Sequence, residues 1–506
     1  MAEVVRLLQI GGTSLEARYP IPEQVEIVRP DGDNPGEFLA RHRGMRFDAA
    51  LLLELPVPGD VPLLSEVLLP YTVFYTEQGA ENRRDIADLL KRKQAQYLPE
   101  NEIACFLQTL PLRFWYGQYG DKLGVNEIDI ADTFAGDIRF EGHVRLTLSG
   151  FFGEGEKQIL SWRGHRVLEK ERALELWPEV ETGNDVRAAL CVSLYRSASP
   201  DDMIRRWRFD LADRKPIVLL PSERSYLTFS LHAKGEGTLR IGMLHVRQSH
   251  VGAGCMLAGG ERFADDSGDE FYSYFDPGDL MPPLCVYFSG YRTAEGFEGY
   301  PMMKGLHTPF LLIGDPRLSG GAFYLGSRAF EDALEARIRD ALRFLSFDHT
   351  QLVLSGLSMG TYGACYYAAR LLPRDVIVGK PLLNAGDIAD NLRRSRPDEF
   401  ETALDVLYAH TGGNGPDEVK SLNERMWNAL KGADFSGTRF AIAYMRHDDY
   451  DLKAYDELIR QLGKKGVRIY GKGIDGRHND DNKAVIGWFI RQYVRILEQD
   501  FQRSFC

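Results

Sequence analysis

The chain has 506 residues, with 61 Lys and Arg against 73 Asp and Glu for a formal net charge of −12, and 44% of it is hydrophobic. That is ordinary globular usage, which excludes a disordered chain, while the acidic balance excludes broad nucleic-acid binding and charge-driven adhesion to anionic lipid. At about 150 residues per domain the length predicts two to four domains.

The N-terminal apolar run contains Glu3 and Arg6, unlike a signal peptide. No window approaches the roughly 18 uninterrupted apolar residues of a membrane span. Cys105, Cys191, Cys255, Cys285, Cys365 and Cys506 are scattered without paired spacing, so neither a disulfide scaffold nor structural zinc is predicted. A soluble protein in a reducing, intracellular compartment is the expectation.

Residues 1–130 read as a Rossmann-like α/β domain. The apolar runs at 4–10, 47–55 and 71–77 are continuous, as in strands buried on both faces, and 82–94 sets Ile86, Leu89 and Leu90 at helical spacing. Gly11-Gly12 lacks the G-x-G-x-x-G pattern of a phosphate loop and reads as a structural turn.

Residues 131–280 switch to period two. Val144, Leu146 and Leu148 alternate with polar neighbours, as do Leu227, Phe229 and Leu231, before Lys234-Gly235-Glu236-Gly237 is read as turning the chain into the next strand. This predicts an antiparallel β-sandwich of carbohydrate-binding-like architecture, with Trp162, Trp177 and Trp207 read as core or interface residues ahead of sugar platforms. His245, His250 and Cys255 recur every five residues, which fits no zinc pattern.

Residues 281–506 return to strand–helix alternation and predict one doubly wound α/β domain. Strands are expected at 285–289, 310–313, 351–354, 376–379, 439–445 and 467–471. An amphipathic helix over 327–345 begins at Ser327 as N-cap. The segment 384–438 reads as a mostly helical insertion, either a cap over an acceptor pocket or a packing element.

This last domain carries the chemistry. Gly356-Leu357-Ser358-Met359-Gly360 is the chain's G-x-S-x-G, placed between a predicted buried strand and a helix, the context of a nucleophile elbow. The Met359 N–H would point where an oxyanion forms, and the loop after the 285–289 strand offers Gly290 or Tyr291 as the second donor. The order serine, acid, histidine selects Ser358, then Asp448 at the end of the 439–445 strand, then His478 on a glycine-rich loop. Asp449 is the alternative acid, Asp451 reads as a helix N-cap, and His447 precedes the acid and reads as a neighbour of the site.

The run Val286-Tyr287-Phe288-Ser289-Gly290-Tyr291-Arg292-Thr293-Ala294-Glu295-Gly296-Phe297-Glu298-Gly299-Tyr300 resembles the second accessory secretory protein family of the accessory Sec system. So do Gly314-Asp315-Pro316-Arg317, the segment 355–360, Gly379-Lys380-Pro381 and Arg477-His478-Asn479-Asp480. The resemblance implies an α/β-hydrolase-like O-acetyltransferase that modifies N-acetylglucosamine on serine-rich-repeat glycoprotein adhesins and supports their export. It implies Ser358, Asp448 and His478 as triad and an acetyl donor, expected to be acetyl-CoA, with no metal. Its implied partners are the other accessory secretory proteins, the accessory SecA motor ATPase and the glycosylated adhesin, met at the inner face of the plasma membrane. A carbohydrate esterase or deacetylase with the same triad, or a transport scaffold without chemistry, are the alternative readings.

Overall fold

A computed structural model of the protein describes residues 4–504, apart from 31–34, 43, 184, 198, 221 and 396–401. Cys506 lies outside the described residues, and the other five cysteines are free thiols. The protein is mixed α/β, with three hydrogen-bonded sheets among the described residues.

The first sheet is parallel throughout, in the order Val25–Val28, Val5–Ile10, Ala49–Leu52, Val73–Tyr75, Gln96–Tyr97. Its central strands are apolar at successive positions because both faces are covered. Leu8, Ile10, Ala50 and Leu52 enter one core cluster. Val5, Leu7, Ala49 and Leu51 enter the one on the opposite face. The helical pattern over 82–94 is only partly realised: the chain makes a short 3-10 turn at Ala80–Asn82 before the α-helix Ala87–Lys93.

The second sheet is antiparallel with ten strands. Two features differ from the sequence reading. Strands Gly120–Leu123 and Ile128–Ile130 pair into it, so it starts before residue 131. Lys234–Gly237 is also not a hairpin turn, because Ser225–Ser249 is one 25-residue strand that runs through it. Its pairing with Arg145–Trp162 shifts register on either side of Gly235, and a Cβ on Gly235 would stand 1.9 Å from the Asp185 carbonyl oxygen. The glycine therefore admits a close backbone approach at a bulge, where the sequence suggests a reversal. Both halves of this strand, Leu227 to Ala233 and Leu239 to Val246, feed one core. The layers expected of a sandwich are thus joined by hydrogen bonds through a shared strand. Trp162 and Trp177 are buried, and Trp207 packs against the same core.

The third sheet has eight strands in the order Gly260–Ala264, Glu270–Asp276, Phe310–Gly314, Leu284–Phe288, Leu352–Leu357, Asp375–Gly379, Arg439–Met445, Arg468–Ile474. The last six are mutually parallel and the first two are antiparallel additions at one edge. Those two strands extend the third unit back to about residue 260, across the expected boundary at 281. Glu270–Asp276 is buried at every position, so it carries no period-two signal to mark it.

Helix Arg328–Leu345 covers one face of this sheet through Phe330, Leu334, Ile338, Ala341 and Leu345, each contributing about 1.5–3 kcal/mol if a large apolar side chain. The Ser327 Oγ accepts the Phe330 N–H at 3.1 Å, an N-cap. Helix Asn482–Phe501 covers the other face with Phe489, Tyr493, Ile496 and Leu497. The insertion supplies helices Ala385–Ser395, Ala403–Thr411 and Pro416–Gly432, whose Val406, Leu422, Met426 and Leu430 join the main core, while its residues 396–401 lie outside the described ones. Among the described residues no helix is long and apolar enough to cross a membrane.

Candidate active site

The parallel strands end at a common edge, and three of their trailing loops meet there. Strand Leu352–Leu357 stops at Ser358, whose φ of 52° is left-handed, and helix Gly360–Leu371 starts two residues later. A non-glycine residue is held in that region only when its surroundings over-determine it. Here the Ser358 N–H donates to the Gly379 carbonyl at 2.9 Å, and its carbonyl accepts the Thr361 N–H at 2.9 Å and the Thr361 hydroxyl at 2.6 Å. The flanking glycines are required by contact. A Cβ on Gly356 would lie 2.3 Å from the Gly360 carbonyl carbon, and one on Gly360 would lie 2.1 Å from the Phe288 carbonyl oxygen.

His478 follows strand Arg468–Ile474 and is buried. Its Nε2 is 2.9 Å from Ser358 Oγ, and its Nδ1 is 2.8 Å from Asp448 Oδ2. Asp448, three residues past strand Arg439–Met445, uses its other oxygen to accept the Tyr450 and Asp451 N–H groups at 3.0 and 3.1 Å. Asp449 instead accepts the His478 backbone N–H at 2.9 Å, so the two neighbouring acids divide the work: one holds the ring and the other holds the chain. The Tyr450 ring packs edge-on against the imidazole at 4.7 Å. With Nδ1–H donated to a carboxylate, Nε2 is left as acceptor for the serine proton.

A cavity of about 720 Å³ opens over Ser358 and His478. Met359, Gly290 and Tyr291 line the same cavity as Ser358. Gly290 differs from expectation in one respect: its N–H already donates to Glu298 Oε2 at 2.5 Å. Glu298, Lys380 and Asn482 also line the cavity and are not among the site residues the sequence points to, although Glu298 and Lys380 stand within the motifs that carry its family resemblance. Lys380 donates to Asn482 Oδ1 at 2.6 Å. Burial pulls the Lys380 ammonium below its usual range, opposed by Asp448 and Glu298.

Other nominated residues lie elsewhere. His447 is exposed, with its N–H donated to the Gly476 carbonyl. Asp451 does not cap the following helix, Ala454–Gly463; it is buried and accepts the Leu383 and Asn384 N–H groups, both at 2.8 Å, tying the start of the insertion to the acid loop. His250 contacts the Arg113 and Met256 carbonyls and stacks on Trp115. His245 sits between Glu295 and Glu179.

A family model described as the accessory Sec system GspB-transporter, the second accessory secretory protein, matches residues 5–503. The second accessory Sec system protein of Streptococcus gordonii is 40% identical over 459 residues, 90% of this chain and 90% of that protein. Its namesake in Staphylococcus aureus is 38% identical over 518 residues, 99% of this chain and 98% of that protein. A chain of the glycosylation-associated protein (Gap123) complex from Streptococcus agalactiae superposes with a TM-score of 0.92 at 37% identity, covering 99% of each chain.

Proposed function

The chain belongs to the second accessory secretory protein family of the accessory Sec system, and from that premise we propose that it is an O-acetyltransferase acting on N-acetylglucosamine of serine-rich-repeat adhesins during their export. The observation that carries the chemistry is the continuous relay from Ser358 Oγ through the His478 ring to Asp448, built on a left-handed elbow. The strand–serine–helix turn and the order serine, aspartate, histidine are those of an α/β-hydrolase site.

In this reading His478 takes the Ser358 proton as Oγ attacks the acetyl carbonyl, and Asp448 stabilises the imidazolium. The tetrahedral oxyanion is held by the Met359 N–H and, with the Gly290 N–H engaged by Glu298, by the Tyr291 N–H. The leaving group departs with the proton from His478, leaving an acetyl ester on Ser358. The sugar hydroxyl then gives its proton to His478 and attacks that ester, and His478 returns the proton to Ser358 Oγ as the acetyl leaves on the sugar, restoring the serine. The donor is a substrate, for which we propose acetyl-CoA. Polar groups around the cavity, including Asn479, Asn482 and Thr293, suit a sugar acceptor.

The Gap123 assembly of the S. agalactiae relative supports a place among other accessory secretory proteins. We propose that the SecA motor and the glycosylated adhesin are the further partners, met at the cytoplasmic face. The test is mass spectrometry of the adhesin glycan from wild-type and Ser358→Ala cells. Loss of O-acetyl groups is expected, and their retention overturns the chemistry. Turnover of a chromogenic acetate ester with and without N-acetylglucosamine separates transfer from hydrolysis: acetylated sugar is expected, and hydrolysis indifferent to sugar favours an esterase.

A further inference from the structure

The loop that carries the Gly290–Tyr291 turn is held from outside its own sheet. It leaves strand Leu284–Phe288, passes the serine, and returns at residues 295–298 before helix Tyr300–Lys304. The returning stretch is bonded to the second sheet at several points. The Glu295 N–H donates to the Gly120 carbonyl at 2.8 Å in an isolated antiparallel bridge. Its carboxylate is buried against His245 and Arg247 of strand Ser225–Ser249. The side-chain amide of Gln118, two residues before strand Gly120–Leu123, satisfies both polar groups of Phe297: it accepts the Phe297 N–H at 2.6 Å and donates to the Phe297 carbonyl at 2.7 Å.

The next residue is Glu298, whose Oε2 accepts the Gly290 N–H at 2.5 Å and whose own N–H donates to Ser289 Oγ at 3.3 Å. The buried Tyr287 phenol lies within electrostatic reach of the same carboxylate. Burial, with Glu298 adding to it, pushes that phenol far above its usual range, so it stays protonated beside the carboxylate. A carboxylate that accepts the Gly290 N–H, on a backbone itself pinned one residue earlier, forms a short chain of hydrogen bonds from the second sheet to the oxyanion turn.

We propose that Glu298 and Gln118 are positioning residues that hold the Gly290–Tyr291 turn against the serine elbow, so that the second sheet sets the oxyanion geometry of the third. This rests on the acyl-transfer reading above. Gln118 lies outside the serine cavity, so its effect on chemistry must pass through Phe297 and Glu298. The role assigned to Glu298 depends on its acceptor oxygen and not on its charge. A latch that merely covers the Gly290 N–H until the acetyl donor arrives would behave in the opposite way, since removing it would speed acylation.

The test is pre-steady-state and steady-state turnover of a chromogenic acetate ester by the full chain, comparing wild type, Ser358→Ala, Glu298→Ala, Glu298→Gln and Gln118→Ala. Because displacement of reacting groups or loss of one oxyanion donor costs about 100-fold, Glu298→Ala and Gln118→Ala are expected to lower kcat by about 10- to 100-fold with KM changed less than about 3-fold. Glu298→Gln, which keeps an acceptor oxygen, should recover most of that loss. Thermal melting and circular dichroism identify any variant that has lost its fold, and the Glu298→Gln comparison then decides alone. Unchanged or faster turnover in Glu298→Ala overturns the proposal, as does a Glu298→Gln variant as slow as Glu298→Ala. If Ser358→Ala is inactive while Gln118→Ala matches wild type, this inference fails and the acyl-transfer reading stands. If Ser358→Ala turns over like wild type, both fall.

Discussion

Replacing Asp448 by Asn separates the two adjacent acids by chemistry. Asn keeps an oxygen for the Tyr450 and Asp451 N–H groups, now 3.0 and 3.1 Å from Asp448 Oδ1, so the loop is expected to keep its shape. Its amide nitrogen would then face His478 Nδ1, where Asp448 Oδ2 stands at 2.8 Å. Two N–H donors cannot share that contact, so the ring must carry its proton on Nε2. That nitrogen lies 2.9 Å from Ser358 Oγ and must be an acceptor to work as base. A wrong tautomer in preserved geometry costs about 10⁴ in kcat, or about 5 kcal/mol of transition-state stabilisation. In Asp449→Asn the amide oxygen still accepts the His478 backbone N–H, and less than about 10-fold is expected to be lost. The assay is the acetylation burst with a chromogenic acetate ester, with circular dichroism to verify folding. An Asp448→Asn burst within about 10-fold of wild type, or an equal loss in Asp449→Asn, refutes the assignment.

Gly360→Ala forces a Cβ to within 2.1 Å of the Phe288 carbonyl, so it should cost about 1–3 kcal/mol by urea denaturation and displace the serine as well. The loop that supplies Asp315 leaves Arg317 buried beside it, paired at 2.8 Å and with the partly exposed Asp269 at 3.2 Å. Asp315→Ala should therefore destabilise by about 3 kcal/mol in the same measurement, and a loss under about 1 kcal/mol contradicts the pairing argument. His245 gives a pH signature. Burial opposes its charge, yet Glu295 and the hydrogen bonds to Glu179 and Glu295 outweigh it and raise the pKa from 6.5 to about 9. Its contribution, about 3 kcal/mol, is full below pH 6.5 and is lost as pH rises through about 9. Melting temperature measured from pH 6 to 10 should fall less steeply in His245→Gln than in wild type, and parallel curves contradict the charged state.

The elbow is legible in the sequence because its requirements are local. A strand, a serine flanked by glycines and a helix stand in one short stretch, and the contacts of Gly356 and Gly360 explain both glycines. The histidine is legible from chain order and its loop. The choice between Asp448 and Asp449 is not forced by residue type, since both carboxylates reach His478, one at the ring and the other at the backbone. Asp451 misleads because it lies just before a helix, while its partners at 383–384 are distant in sequence. Glycines also mislead when their purpose is tertiary: Gly235 looks like a turn until the Asp185 carbonyl beside it is seen. Strand Glu270–Asp276 lacks alternation because both its faces are covered, so periodicity does not assign it to the third sheet. Glu298 is hidden for the same reason as Asp451, its meaning lying in the Gly290 N–H it accepts.

The proposed mechanism turns on a covalent acetyl-enzyme, and trapping it is the direct test. The full chain is mixed with acetyl-CoA, quenched in acid within the first turnover, digested and analysed by mass spectrometry. One acetyl group is expected on the peptide containing Ser358, removed when N-acetylglucosamine is added before the quench and absent in Ser358→Ala. Acetylated sugar formed without any acetyl on Ser358, or formed equally by Ser358→Ala, would contradict the mechanism.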